Sequence, residues 1–268
     1  MTVALEFDGV ARDFVTPNGR VYRALDRVSF TARTGGFIAI VGPSGCGKST
    51  LLNLAAGLLT PTAGRIRVGD GDLAGLNRSA TYMFQQDALL PWKSVLDNVA
   101  LGLTLSGVPR REAQRRAGAW LSRVGLTEFA AHYPAQLSGG MRKRAAMAQN
   151  WIIDRGIVLM DEPFSALDVH TRQRMEAELL ALWESSGKTV VFVTHDLEEA
   201  IALADEVVVL SAGPASRVVA QHPVKLDRPR DLMELRTAPE FIDMYRAIWA
   251  VLREEVIKSQ RAPEARRG

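Results

Sequence analysis

The chain has 268 residues, of which 47% are hydrophobic and 24% are charged, and its formal net charge is +3. That length supports one large α/β domain with at most a small appendage, which excludes two full domains. Because basic and acidic residues nearly balance, we expect no nucleic-acid partner.

The N-terminal residues and the cysteine usage indicate a compartment. Residues 1–8 contain no basic region followed by an apolar core, so we expect no signal peptide. The longest apolar runs, such as Val207–Leu210, are far shorter than the roughly 18 residues of a membrane span. Cys46 is the single cysteine, which excludes an intrachain disulfide and fits a reducing environment. We therefore expect a cytoplasmic protein.

The predicted elements begin with short antiparallel strands over residues 4–30, with a turn at Pro17-Asn18-Gly19. Three later apolar runs are predicted to be buried strands: Phe37–Val41, Gly156–Met160 and Thr189–Thr194. They alternate with helical patterns, as in α/β proteins with a mostly parallel sheet. In such a sheet, ligands collect where the strands end.

Two helical regions complete the chain. Residues 95–129 have a helical pattern, and we expect their arginines, Arg110, Arg111, Arg115 and Arg116, to face solvent. After Pro239 a last helix is predicted, with one apolar face formed by Phe241, Met244, Tyr245, Ile248, Trp249, Leu252 and Val256. The polar tail, residues 259–268, is predicted to be disordered.

A glycine-rich segment follows the first predicted parallel strand and opens a helix. It consists of Gly42, Pro43, Ser44, Gly45, Cys46, Gly47, Lys48, Ser49 and Thr50. This pattern in this context predicts a phosphate-binding loop. Its backbone N–H groups would surround a phosphate, Lys48 would reach the terminal phosphates, and Ser49 would ligate Mg²⁺. Since Cys46 lies inside the loop, we expect a thiol adduct to inhibit and MgATP to protect.

Two carboxylates end the second predicted strand, Asp161 and Glu162. Buried unpaired acids cost several kcal/mol unless a cation or a substrate compensates them, and Mg²⁺ with a nucleotide would do so. Asp161 is then the candidate for holding Mg²⁺ and Glu162 for polarising the attacking water. By itself, such a pair is also typical of a helix N-cap.

The segment Leu137-Ser-Gly-Gly-Met141 lies between these motifs and resembles the signature sequence of the ABC ATPase family. The resemblance covers residues 4–210. It implies Gln85 as the Q-loop glutamine, a candidate catalytic residue and Mg²⁺ ligand, Ser165–Asp168 as the D-loop, and His195 as the switch histidine. It also implies that two copies stack head to tail, so that Ser138, Gly139, Gly140 and Asp168 complete the partner's nucleotide site.

A histidine beside phosphate can donate a hydrogen bond to a γ-oxygen, which makes His195 a candidate catalytic residue. The resemblance also implies an aromatic residue stacked on adenine. Phe14 occupies the matching position and Tyr22 competes with it; either could instead be ordinary packing.

The sequence departs from the family at Met141, where glutamine is usual, and at Gln149, where many relatives have arginine. Neither departure touches phosphate chemistry, so we expect an active ATPase. Residues 84–92, ending in Leu90-Pro91-Trp92, resemble the importer branch for nitrate, taurine and alkanesulfonates. These three residues are candidates for the surface that receives a membrane permease.

The resulting prediction is an ATPase subunit of an importer on the cytoplasmic face of the membrane, acting with permease subunits and, indirectly, a substrate-binding protein. Residues 1–222 would form the ATPase domain, with a helical subdomain at about 90–155, and residues 223–268 a C-terminal extension. A soluble ABC ATPase remains an alternative, although residues 48–138 leave no room for a long coiled-coil insertion. A non-hydrolysing regulatory module is the other, against which Glu162 and His195 argue.

Overall fold

The computed structural model describes residues 2–261, which contain two sheets. The strands in chain order are β1 (Val3–Val15), β2 (Val21–Arg33), β3 (Phe37–Val41), β4 (Ala63–Val68), β5 (Gly71–Asp72), β6 (Ala80–Met83), β7 (Ile157–Asp161), β8 (Thr189–Val193), β9 (Glu206–Leu210) and β10 (Val218–Pro223). One sheet has the order β2-β1-β4-β5 and the other β10-β9-β3-β8-β7-β6.

The four-stranded sheet is antiparallel throughout. Its strands β1 and β2 each span 13 residues, so the prediction of short strands was wrong, although Pro17-Asn18-Gly19 does lie in the connecting turn. Irregularities in the β1–β2 register bend this ribbon. In the six-stranded sheet the pairs from β9 to β6 are parallel, and β10 joins β9 in antiparallel orientation.

The helices are α1 (Lys48–Ala55), α2 (Val95–Leu105), α3 (Arg110–Arg123), α4 (Gly139–Trp151), α5 (Val169–Glu184), α6 (Leu197–Leu203), α7 (Leu232–Leu235) and α8 (Pro239–Arg261). α2, α3 and α4 form the inserted helical region around an apolar cluster of their own. The four arginines of α3 noted in the sequence are exposed, and Arg115 and Arg116 pair with Glu112. Among residues 2–261, no helix is both long and apolar enough to cross a membrane.

Alternation along β3 shows how the core is built. Phe37, Ala39 and Val41 pack on one side of the sheet, with α5, α6 and α8, whereas Ile38 and Ile40 pack on the other side with α1 and the antiparallel sheet. A parallel sheet covered on both faces needs apolar side chains on both, which is why these strands are continuous hydrophobic runs.

The C-terminal extension packs onto this core. Phe241, Ile248 and Leu252 of α8 are buried in the same cluster as the sheet residues of β3. α8 continues to Arg261, so the prediction of disorder from Ser259 was wrong for residues 259–261, and the remaining tail lies outside the described residues. The boundary placed at residue 222 stays a prediction.

Candidate functional site

The glycine-rich loop connects the end of β3 to the start of α1. Gly45 and Gly47 have φ angles of 75° and 95°, a region that strains residues with a side chain. A Cβ on Gly47 would also lie 2.8 Å from Leu25 Cδ2. The loop, α1 and one acid line a small cleft formed by Ser44, Gly45, Gly47, Lys48, Ser49, Thr50 and Glu162.

Positive charge converges on this cleft. α1 begins at Lys48 with no acidic residue in its first turn, so its free N–H groups and dipole favour an anion. The Lys48 ammonium is nearly buried and donates to the carbonyl oxygens of Gly42 at 2.9 Å and Pro43 at 3.3 Å. The backbone of the loop therefore holds the ammonium in place. Among the described residues, no carboxylate forms a salt bridge with it.

Ser49 and Asp161 form the second part of the site. Ser49 Oγ donates to Asp161 Oδ1 at 3.0 Å, and Tyr82 Oη donates to Asp161 Oδ2 at 3.3 Å. Burial raises the pKa of Asp161, although both hydrogen bonds act in the opposite direction. A buried carboxylate beside a hydroxyl oxygen is a pair of hard oxygen ligands, which suits Mg²⁺.

Few protein ligands are available for a metal ion here. Among residues 2–261, no group of three or more His, Cys, Asp or Glu side chains is placed to hold one. Mg²⁺ in nucleotide sites is held by one or two protein oxygens together with phosphate oxygens and water. Ser49 and Asp161 fit that requirement.

Glu162 lies directly beyond β7 in a strained conformation. Its φ is 42°, which is unusual for a residue with a side chain and is held by a hydrogen bond from Glu162 N to the carbonyl of Val193 at 2.9 Å. Its carboxylate Oε2 lies 3.0 Å from His195 Nδ1. The structure thus brings Glu162 and His195, which are 33 residues apart in sequence, into direct contact beside the loop.

Gln85 approaches the site through Ser165. Its Nε2 lies 3.4 Å from Ser165 Oγ, which donates to the carbonyl of Glu162 at 3.0 Å. The backbone of Gln85 is also held, because its carbonyl accepts a 2.6 Å hydrogen bond from the buried Lys143. Gln85 therefore contacts the segment after Glu162, and its assignments as a catalytic residue and as a metal ligand stay predictions.

The signature segment lies at the start of α4, away from the loop of the same chain. Ser138 is exposed and caps α4, with its Oγ accepting from Met141 N at 3.3 Å. Within residues 2–261, no hydrogen bond or ion pair joins Ser138, Gly139 or Gly140 to residues 42–50. Asp168 is likewise exposed, and it caps α5 by accepting from Thr171 N, which lowers the pKa of its carboxyl.

The departures from the family pattern lie in helix packing. Met141 packs against the apolar cluster of the helical region. Gln149 Nε2 donates to the Asn98 carbonyl of α2 at 3.1 Å, so this position joins two helices. Neither side chain reaches the phosphate loop.

Phe14 and Tyr22 are directly opposite each other on β1 and β2, and opposite residues share one face of a sheet. Phe14 is half-buried, with the Arg12 guanidinium 4.8 Å from its ring centre, and Tyr22 is 38% exposed. Neither lines the cleft at the loop. Adenine stacking by either residue stays a prediction.

Cys46 differs from the sequence-based expectation. Its side chain is 1% exposed and packs in the cluster between the two sheets. Burial raises the pKa of the thiol, which reduces the reactive thiolate. Rapid alkylation of the folded protein, with protection by MgATP, is therefore no longer expected.

Sequence reasoning missed two groups around the site. Tyr82 was not singled out because a tyrosine inside an apolar strand is indistinguishable from core packing. Arg172 was missed because two of its partners, Asp196 and Glu199, are distant in sequence and come close only in the folded chain.

The fold and this loop define a P-loop ATPase: a parallel sheet delivers a phosphate-binding loop, a carboxylate–hydroxyl pair and a strained acid to one edge. The family model for ABC transporters matches residues 25–165, more than half of the chain. The chain belongs to the ABC transporter family, as one of its ATP-hydrolysing subunits.

Similar proteins agree with this assignment over most of the chain. An uncharacterised ABC transporter ATP-binding protein of Methanocaldococcus jannaschii is 42% identical over 97% of this chain and 95% of its own. The taurine import ATP-binding protein TauB of Rhizobium johnstonii is 44% identical over 92% of this chain and 96% of its own.

Solved structures show the same fold. A dimeric ATP-binding cassette in a post-hydrolysis state, bound to ADP and Pi, has a TM-score of 0.72 and 31% identity, covering 83% of this chain and 100% of that one. The ABC transporter component cbiO1 of Clostridium perfringens has a TM-score of 0.72 and 26% identity, covering 84% of this chain and 90% of that one.

Proposed function

We propose that this chain hydrolyses ATP to energise an importer of a small anion or organic nutrient of the nitrate, sulfonate or taurine type. The observation that carries the importer assignment is the near full-length match to taurine import ATP-binding proteins, at 44% identity over 92% of the chain. The hydrolytic role rests on the contact between Glu162 and His195 beside the phosphate loop.

Each group at the loop has one role in binding. Backbone N–H groups of residues 42–50 surround the phosphates, and Lys48 leaves its backbone acceptors to meet the terminal phosphates. Ser49 and Asp161 would hold Mg²⁺, with Gln85 as a further candidate ligand, and the bound ion would supply charge neutralisation for the phosphate oxygens.

Glu162 and His195 act on the attacking water. The Glu162 carboxylate accepts a hydrogen bond from the water and orients it, since its backbone is fixed to β8. His195 contacts the same carboxylate through Nδ1, which leaves Nε2 available for a γ-phosphate oxygen. The rate enhancement comes from positioning and charge stabilisation.

The nucleotide site is completed by a second copy of the chain. Ser138 is exposed at the start of α4. The free N–H groups of a helix start favour an anion, so we expect its hydroxyl and the N–H groups of Gly139 and Gly140 to meet a phosphate from outside the chain. A solved relative is described as a dimeric cassette. In a head-to-tail dimer these groups, together with Asp168, close on the phosphates held by the other copy.

A surface for permease subunits lies between the helical region and the sheet. A groove beside β6 and α2 is bordered by the exposed apolar side chains of Leu58, Leu76, Phe84 and Leu105. Trp92, which is 72% exposed, lies in the segment that the sequence assigned to this role. Docking there would hold the chain at the cytoplasmic face of the membrane, with a substrate-binding protein acting on the permease.

Turnover is tested first on purified protein. Wild type is expected to hydrolyse ATP, whereas Glu162→Gln binds ATP, turns over at a small fraction of the wild-type rate and accumulates as a dimer with nucleotide. Lys48→Ala is expected to weaken binding or turnover. An inactive wild type would favour a regulatory module, and wild-type turnover by Glu162→Gln would remove Glu162 from the mechanism.

Transport is tested in a deletion strain grown on taurine, an alkanesulfonate or nitrate as sole sulfur or nitrogen source. Wild type is expected to restore growth on one of these sources and Glu162→Gln to fail. Trp92→Asp is expected to reduce growth while keeping ATP hydrolysis in solution. Met233→Asp, at a site 79% exposed on the C-terminal extension, is the matched control. Wild-type growth of the deletion strain on all sources would favour a soluble ATPase.

A further inference from the structure

We propose that Arg172 is a positioning residue for His195, tying the histidine's segment to the D-loop backbone through Asp196 and Leu167. This inference rests on the proposed role of His195. Arg172 lies on α5 and does not line the phosphate cleft.

Arg172 bridges two segments that precede different helices. Its Nη2 donates to the carbonyl of Leu167 at 3.1 Å, directly before the cap of α5. Its Nη1 donates to Asp196 Oδ2 at 3.3 Å, directly after His195. One planar guanidinium therefore joins the segment that ends in Asp168 to the segment that carries the histidine.

The two residues that flank His195 in sequence, Thr194 and Asp196, are both held by hydrogen bonds. Asp196 Oδ1 caps α6, so the carboxylate uses one oxygen for the helix and the other for Arg172. On the preceding side, Thr194 Oγ1 donates to Glu199 Oε2 at 2.6 Å and accepts from Asp196 N at 3.0 Å. Arg172 Nε lies 3.7 Å from Glu199 Oε1.

The contacts of Arg172 are partly buried. The Arg172 side chain is 26% exposed and that of Glu199 is 5% exposed, so the charges are partly shielded from water. The buried Nε of Arg172 has no hydrogen-bond partner and faces Glu199. Without Arg172, the Asp196 carboxylate would lose its partner on α5, and the segment that carries His195 would no longer be tied to the Leu167 carbonyl. The segment that holds His195 against Glu162 would then be free to shift.

Removal of the guanidinium should therefore reduce turnover without weakening nucleotide binding. For Arg172→Gln we expect kcat to fall roughly tenfold to a hundredfold, as for a small misplacement of a reacting group, with KM for ATP close to wild type. Arg172→Lys keeps the charge but cannot donate to Leu167 and Asp196 in the same fork geometry, so its kcat should be intermediate. Arg174→Gln, an exposed position on the same helix, is the matched control and should keep wild-type kcat.

The deciding experiment is a double-mutant cycle on the purified full chain. If Arg172 acts through His195, then Arg172→Gln should cause no further loss of kcat in a His195→Ala background. An equal fold-loss in both backgrounds would overturn the proposal, and so would a wild-type kcat for Arg172→Gln. Wild-type kcat for His195→Ala alone would instead refute the role of His195 in the proposed function.

Asp196→Asn breaks the same contact from the other side, and it tests the proposal if Arg172→Gln fails to fold. Asparagine retains an oxygen for capping α6 but removes the charge that pairs with Arg172. It should lower kcat by a similar factor and also show no additional effect in the His195→Ala background. A melting temperature equal to wild type, combined with an unchanged kcat, would overturn the proposal independently.

Discussion

Glu199 should make the stability of the folded chain depend on pH in a calculable way. Burial raises the pKa of its carboxyl from 4.5 to about 7, against the hydrogen bond from Thr194, while Asp196 and Glu176 raise it further and Arg172 lowers it. Between these two values the folded state binds the proton more tightly than the unfolded state. Stability attributable to this group therefore falls as pH rises from 4.5 to 7, by about 3 kcal/mol in all.

Glu199→Gln removes this titration while keeping an acceptor for Thr194. Urea unfolding at several pH values gives the free energy of unfolding for wild type and variant. The difference, wild type minus variant, should decrease by about 3 kcal/mol between pH 4.5 and pH 7.5 and be constant above that range. The matched control is Glu198→Gln on the exposed side of α6, which should keep the wild-type pH profile. A Glu199→Gln difference that is independent of pH would refute the reasoning.

Three further predictions concern packing. Cys46 should react with a maleimide only as the folded chain opens, so that labelling measured by mass spectrometry is slow without nucleotide and slower still with MgATP, which binds the folded state. Arg230→Met should lower the free energy of unfolding by about 3 kcal/mol, because its buried Nη1 donates to three carbonyls at the end of α6. Gly140→Ala should cost about 1 kcal/mol, because the new Cβ would lie 2.8 Å from Thr171 Cγ2.

Each of these three predictions has a result that would contradict it, and the two substitutions have control variants. Fast labelling of Cys46 that MgATP suppresses would show an accessible thiol. Arg246→Met removes an exposed arginine on α8 and should change stability by less than about 0.5 kcal/mol; an equal loss from both variants would contradict the capping role of Arg230. Thr171→Ala should relieve the cost of Gly140→Ala, and simple additivity would exclude the contact.

The sequence could predict those parts of the site whose chemistry depends on consecutive residues. The loop at residues 42–50 follows a strand and opens a helix, and that local context is enough to predict its conformation. The parallel core was predictable because strands buried on both faces are continuous apolar runs. The contact partners of Arg172 were not, since an arginine on a helical pattern is equally compatible with solvent.

Other misses have the same physical origin. The length of β1 and β2 depends on bulges, which keep a ribbon continuous while the alternation of apolar residues is interrupted. Residues Ser259–Arg261 have no apolar side chain that would predict a helix, but they continue α8 beyond the end of its buried face. Burial of Cys46 depends on the antiparallel sheet that covers the loop, which a local motif does not contain.

The meeting of Glu162 with His195 follows from sheet register. β7 and β8 are parallel neighbours with Asp161 opposite Val193, so the residues that follow them leave the sheet at the same edge. Because side chains alternate in a strand, a slip of one residue would exchange the directions of Asp161 and Glu162. The hydrogen bond from Glu162 N to the Val193 carbonyl opposes that slip at the cost of a positive φ. The strain at Glu162 is therefore part of what places one carboxylate against Ser49 and the next against His195.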